Sequence, residues 1–174
     1  PAVTAILVAN GFTDAEALRL AAAVERASEH PLALAIVQAA EARRIKPAPV
    51  IDFDSPTGKG ALGTVEGKRV ALGSAAFLAE HGVDAAALAA QAERLREDGA
   101  TVIFAGVDGS LSAAFAIADP VKATTPDAIA ALKREGVRIV MLTGDNRTTA
   151  RAVAARLGIN EVEAEVLPDQ KSAI

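Results

Sequence analysis

Cysteine is absent from the 174 residues, as are tryptophan and tyrosine, and methionine occurs once. Without a thiol there is no disulfide, no thiolate nucleophile and no thiolate-bound metal, and this usage agrees with a reducing compartment. Aromatic residues amount to 3%. The core must therefore be built from Ala, Val, Leu and Ile, and the aromatic platforms on which single-stranded nucleic acids stack are missing. Positive charge is not in excess either. The formal net charge is −4, which argues against nucleic acid or an anionic membrane surface as a partner. The longest apolar runs, such as residues 113–118, fall far short of the roughly 18 residues a membrane-spanning helix needs. No signal peptide is visible. The chain opens on Pro1 rather than methionine, just before a strand-like run, which fits a piece cut from a longer chain.

What is present is a globular composition. Hydrophobic residues make up 51% and charged residues 23%, so a packed core is expected, in one ordinary domain or two small ones. Residues 3–8 read as a strand that ends in an Asn10-Gly11 turn. Thr13-Asp14-Ala15-Glu16 is a capping box, and Ala17, Leu20, Ala21 and Val24 follow at helical spacing. Pro31 suits the first turn of a second helix, which leaves His30 at the joint between the two. Strands are expected at 50–53, 61–66 and 69–72, with a turn at Gly67-Lys68. A short helix over 75–80 should stop at His81-Gly82, and a longer one over 85–98 at Gly99. Asp108-Gly109 between residues 101–107 and 111–118 is a hairpin signal. This portion reads as an antiparallel sheet with helices on it.

The pattern changes after Asp119-Pro120. Helix 124–135, apolar strand 137–142, helix 147–157 and a further strand at 162–166 alternate with short joints, the pattern of a parallel α/β sheet. A boundary near 116–119 follows, and the opening strand is open to membership of this second unit. Internal repeats and low-complexity linkers are not seen.

Residues with possible chemistry are undistinguished one at a time. Gly58-Lys59-Gly60-Ala61-Leu62-Gly63 matches G-x-G-x-x-G but opens into a strand, so the helix-dipole part of dinucleotide binding is lost. A turn at a sheet edge explains it, with Lys59 solvated; so does a flat ligand lying against bare backbone. Thr143-Gly144-Asp145 ends a buried strand and starts a helix, a place suited to a phosphoryl group, although Asp145 or Asn146 as an ordinary helix cap explains it too. Lys171 follows Pro168-Asp169-Gln170 and could neutralise a phosphoryl group. His30, His81 and Glu25 each read singly as ordinary surface or satisfied side chains.

Their order is more specific. Ser28-Glu29-His30-Pro31-Leu32-Ala33, Gly58-Lys59-Gly60, Asp119-Pro120-Val121-Lys122, Met141-Leu142-Thr143-Gly144-Asp145-Asn146 and Leu167-Pro168-Asp169-Gln170-Lys171 succeed one another as in heavy-metal-transporting P-type ATPases. The chain resembles that family over essentially its whole length. It is most similar to the copper-exporting branch, partly through Ala118-Asp119-Pro120-Val121-Lys122, with the zinc/cadmium/lead branch as the alternative.

The resemblance implies an α/β architecture. A nucleotide-binding domain, an antiparallel sheet with flanking helices, is inserted into a partial haloacid-dehalogenase-like parallel α/β phosphorylation domain. Residues 1–12 and 118–174 would belong to the incomplete phosphorylation domain, and 13–117 to the nucleotide-binding domain. ATP or ADP would be the ligand, with Mg2+ required in the full-length protein. Glu25, His30, Gly58 and Gly60 would hold adenine: His30 contacts the ring, Glu25 accepts from the exocyclic amine, and the glycines permit close approach. Gly73-Ser74 stands where many relatives have Gly-Asn, and Ser74 lacks that amide. Thr143, Gly144 and Asp145 would line the phosphoryl site, and Lys171 would offset charge on it. Asp119 and Lys122 would lie near the interdomain hinge.

The family's Asp-Lys-Thr-Gly-Thr nucleophile motif would precede Pro1, and its Gly-Asp-Gly-x-Asn-Asp magnesium motif would follow Ile174. The 174 residues are thus expected to bind nucleotide without forming an aspartyl phosphate. They would be a cytoplasmic portion of an integral membrane protein, with its membrane and actuator domains as partners. The transported metal is not expected here, since Cu(I) prefers thiolate or thioether ligands. A soluble nucleotide-binding module without phosphoryl transfer is a competing reading. A soluble phosphatase would need an Asp nucleophile in a matching motif, and none is present.

Overall fold

The computed structural model describes residues 1–166. It divides into two compact units, Pro1–Ala92 with Val102–Ala118, and Glu93–Thr101 with the described residues from Asp119 onward.

The first unit is built on a six-stranded sheet. Its strands are β1 (Ala2–Val8), β2 (Val50–Asp54), β3 (Gly60–Val65), β4 (Lys68–Gly73), β5 (Thr101–Val107, whose first residue falls in the second unit) and β6 (Ser110–Ala118). Their spatial order is β1-β6-β5-β4-β3-β2. Two tight turns set the register. Glu66 and Gly67 (φ 52° and 78°) join β3 to β4, and Asp108 and Gly109 (φ 49° and 81°) join β5 to β6. Positive φ at both central residues matches the twist of a two-residue hairpin. The first of these turns falls one residue earlier than the sequence suggests.

Helix α1 (Asp14–Glu25) and helix α2 (Pro31–Ala42) pack on one face of this sheet. Thr13 caps α1 by accepting from the Glu16 amide at 3.2 Å. Glu16 does not reach back as a full capping box requires; its carboxylate pairs with Lys68 at 3.0 Å. From Ala17 to Glu25 every residue of α1 except Arg19 is buried, because α1 packs against both α2 and the sheet. Alanine there permits close approach on several sides. Val65, Val70, Leu72, Ala105, Val107, Ala113, Phe115 and Ile117 complete this core. Aliphatic residues dominate it, as the composition requires, though Phe104 and Phe115 are among the largest fully buried side chains. Helix α3 (Ala75–Glu80) packs on β4. Residues alternating with the core positions face α3: Gly60 and Gly73 lie under Phe77.

Residues 1–12 are expected from the sequence in the second unit. The strand pairing places them otherwise. β1 is antiparallel to β6 from Ala2↔Ala118 to Val8↔Ala113. It satisfies the outer backbone groups of β6, a strand buried through most of its length, and buried backbone polar groups must be paired.

In the second unit, the last turns of helix α4 (Ala86–Glu97) are grouped with helix α5 (Thr125–Arg134), strand β7 (Val140–Leu142), helix α6 (Arg147–Leu157) and strand β8 (Glu161–Glu163). β7 and β8 are parallel, joined by α6, as the alternating pattern predicts. Both are shorter than expected. Among the described residues β7 pairs only with β8, and Val137 and Val140 stay exposed, so the apolar run beginning at 137 finds no second strand to extend it. No described helix is long and apolar enough to cross a membrane.

Candidate functional site

Glu25 is the one buried charged side chain among the described residues, at 6% exposure. Helical spacing explains its place: it follows Leu18 and Ala21 by seven and four residues on the buried stripe of α1. Burial pushes its carboxyl up to about 7, and a hydrogen bond from Ser28 pulls in the opposite direction. A carboxyl so perturbed at a helix end marks a candidate for function.

His30 sits on the same loop and is exposed. It is the N-cap of α2, with Pro31 as the first helical residue. Its Nδ1 accepts from the Leu32 amide at 3.2 Å. An accepting Nδ1 leaves Nε2 as the N–H donor of the neutral ring, facing away from the cap. Ser28, half-buried between exposed neighbours, accepts the His30 amide on its hydroxyl at 3.3 Å.

The glycine loop lies at the same end of the sheet. Arg19–Glu66 (2.7 Å) and Lys68–Glu16 (3.0 Å) fasten the first half of α1 to the β3–β4 turn. A Cβ on Gly63 would stand 3.4 Å from Val24 Cγ2. So α1 runs back along β3, and Glu25 emerges toward the end where β3 begins at Gly60. Gly58 takes φ +73° in the approach to that strand, where an L side chain is strained. Gly60 pairs with Gly73. A Cβ on Gly60 would lie 2.2 Å from the Leu72 carbonyl oxygen and 2.5 Å from the Phe77 ring, and one on Gly73 2.6 Å from that ring. Both bare positions face α3, on the side of the sheet away from α1. Ser74 caps α3 by accepting from the Phe77 amide at 3.1 Å, and Lys59 pairs with Glu80 at 3.2 Å.

The arrangement is therefore an open edge, with an acceptor at Glu25 and a donor at His30. Two clefts lie elsewhere: one of about 490 Å³ lined by Ala75, Ala79, Val83 and Ala89 among others, and one of about 210 Å³ lined by Arg147, Arg151 and Glu163 among others.

In the second unit Thr143, Gly144 and Asp145 follow β7 directly. The Asp145 carboxylate accepts from the hydroxyls of Thr143 and Thr101, each at 2.8 Å. Its own amide donates to Thr143 Oγ1 at 3.1 Å. The cap of α6 is Asn146, which accepts from the Thr148 amide at 2.8 Å, so Asp145 is released from capping. Gly144 is exposed. Asp119 and Lys122 are exposed in the segment after β6, and the Lys122 carbonyl accepts from the Thr125 amide at 2.9 Å. Lys171 lies outside the described residues. No group of three or more His, Asp or Glu able to hold a metal ion occurs among the described residues.

Sequence reasoning quoted Ser28 within a motif but gave it no role of its own, and did not single out Phe77 or Thr101. Ser28 had a signal, three residues after Glu25. Thr101 had none, being 44 positions from Asp145.

Across residues 1–174 the chain matches the haloacid dehalogenase-like hydrolase family. It is 49% identical over 174 residues to the silver exporting P-type ATPase of Salmonella typhimurium, covering 100% of this chain and 21% of that protein. It is 48% identical over 168 residues to the copper-exporting P-type ATPase of Legionella pneumophila, covering 97% of this chain and 23% of that one. The chain thus spans about a fifth of the length of these curated relatives. Among solved structures it resembles a zinc-transporting PIB-type ATPase in the E2.Pi state (35% identity, TM-score 0.68, 99% of this chain and 28% of that one). It also resembles the N-domain of HMA8, a copper-transporting P-type ATPase (30%, 0.59, 68% of this chain and 100% of that one). A third likeness is to the catalytic domain of the CPx-ATPase CopB-B, described for conformational changes upon nucleotide binding (27%, 0.73, 99% of this chain and 57% of that one). The chain belongs to the haloacid dehalogenase-like hydrolases and, within them, to the heavy-metal P-type ATPases.

Proposed function

We propose that this chain binds ATP as a cytoplasmic portion of a copper-translocating P-type ATPase, orienting the nucleotide for transfer to an aspartate outside these residues. The observation that carries the reading is the pairing of a buried acceptor, Glu25, with an outward Nε2 donor, His30, on one short loop. Adenine presents an exocyclic amine donor beside ring-nitrogen acceptors, and the two side chains complement that edge. Gly58 and Gly60, with Gly73 and Ser74 beside them, form the neighbouring edge along which the rest of the nucleotide passes.

On the same reading Thr143, Gly144 and Asp145 line a phosphoryl site within the second unit, with Lys171 offsetting phosphoryl charge and Asp119 and Lys122 as the further phosphate-related residues. Mg2+ would neutralise phosphate charge in the whole protein. Copper is favoured by the copper-exporting relative at 48% identity; the zinc-transporting structure at 35% supports zinc as the second reading. Titration with ATP, followed by amide NMR, tests the site. Shifts are expected at Glu25, His30, Gly58 and Gly60, and His30→Gln should weaken binding by ~1–3 kcal/mol. Unchanged affinity in that variant would refute the assignment. Steady hydrolysis by the 174 residues would refute the expected inactivity.

A further inference from the structure

We propose that Lys59 is a phosphate-binding residue of the nucleotide site, held at the edge of the glycine loop by Glu80 until a nucleotide phosphate takes the place of that carboxylate. The proposal rests on the adenine-binding reading of Glu25 and His30.

The loop that carries Lys59 is closed on itself. The Lys59 amide donates to the Pro56 carbonyl at 3.0 Å, and the Ser55 hydroxyl donates to the Gly60 carbonyl at 3.2 Å. Between them Gly58 takes φ +73°. The loop also lies against the strand end that leads into α3, since a Cβ on Gly73 would stand 2.8 Å from the Lys59 carbonyl oxygen. From this fixed backbone the Lys59 side chain reaches Glu80, the last residue of α3. Its ammonium donates to both carboxylate oxygens, at 3.2 and 3.3 Å. The charge is thereby held along the edge made by Gly58, Gly60, Gly73 and Ser74. Residues 54–60 and 73–81 contain no other Lys or Arg, while Asp54 and Glu80 are acidic. Arg26 stands one residue past Glu25 and belongs to the adenine end.

The strength of the Lys59–Glu80 pair decides what it can do. Both side chains keep more than half of their surface in solvent, 55% for Lys59 and 54% for Glu80. An ion pair so exposed contributes little to stability and is readily exchanged. A phosphate offers the same ammonium more negative charge and more acceptor oxygens. The exchange therefore gives up a weak contact and gains a charge-assisted one that exists only when nucleotide is bound. Until then Glu80 keeps the long, flexible lysine stem on the edge instead of loose in solvent.

Amide NMR titrations with ATP, ADP and adenosine, run on the parent chain, Lys59→Gln, Lys59→Arg and Lys68→Gln, test this. Lys59→Gln should bind ATP and ADP about fivefold more weakly and adenosine as the parent does, with an unchanged melting temperature. Lys59→Arg, which keeps the charge, should retain most of the affinity. Added salt should weaken ATP binding by the parent more steeply than binding by Lys59→Gln. Lys68→Gln removes the same charge at the opposite end of β3 and β4 and should leave ATP affinity unchanged. Parent-like ATP affinity in Lys59→Gln overturns the proposal, as does an equal loss for adenosine or an equal loss in Lys68→Gln. The two levels separate in the parent chain. If ATP does not shift the Glu25 and His30 amides there, the adenine reading itself fails; if it shifts them and Lys59→Gln binds ATP like the parent, only the role of Lys59 fails.

Discussion

Gly60 and Gly73 stand opposite each other across β3 and β4, and the Phe77 ring occupies the space where either side chain would project. Packing alone therefore requires both to be bare, whether or not a nucleotide lies nearby. Gly60→Ala should destabilise the nucleotide-free protein by ~1–3 kcal/mol, the usual cost of overpacking, because the Leu72 carbonyl is backbone and cannot move aside. Thermal melting without ligand checks this. An unchanged melting temperature would mean that Phe77 does not hold the strands as described.

Glu25 makes stability depend on pH in an unusual direction. Its carboxyl is raised from 4.5 to about 7 by burial, so the folded chain holds a proton that the unfolded chain releases. Stability is full below pH ~4.5 and declines as pH rises toward 7, by on the order of 3 kcal/mol at most, then levels off. Glu25→Gln should flatten that segment of the profile. Urea denaturation at several pH values is the measurement, and a variant whose profile parallels the parent's would contradict the burial argument.

Binding and capping can be separated at His30. The cap uses Nδ1, whereas the proposed ligand contact uses Nε2. Ser at an N-cap is as effective as most alternatives, and Ala there costs about 0.5–2 kcal/mol. His30→Ser should thus keep the melting temperature and lose ATP affinity, while His30→Ala loses both. Equal ATP affinity for His30→Ser and the parent would remove His30 from the site.

Thr101 and Thr143 both donate to Asp145. Thr101→Val should cost about 1 kcal/mol and lower amide-exchange protection over residues 143–149, where the loop enters α6. Protection equal to the parent's there would show that the Thr101 hydroxyl contributes nothing to holding Asp145.

Much of the fold was readable because its signals are local. Thr13, Pro31, Asp108-Gly109 and Gly82 act within a few residues of themselves, and each lies where its chemistry suggests. The candidate site was readable only as an ordered set of motifs. Its members are single polar or glycine residues with no periodicity to distinguish them. The loop 25–30 was visible as a helix joint, yet the burial of Glu25 was not, since a lone charged residue at a helix end reads as solvated even where its spacing continues the buried stripe.

The sequence by itself determined the helices, the hairpin turns, the absence of thiol and aromatic chemistry, and the order of motifs that names the family. Only the tertiary structure decided that β1 joins the antiparallel sheet through β6, that Glu25 is buried and its carboxyl raised, and that Gly60 and Gly73 make room for Phe77. It also decided that Asp145 is held from 44 positions away by Thr101. The physical reason is range. Caps and turns satisfy backbone groups from neighbours along the chain, whereas desolvation, strand pairing and steric exclusion depend on which distant residues the packed core brings into contact.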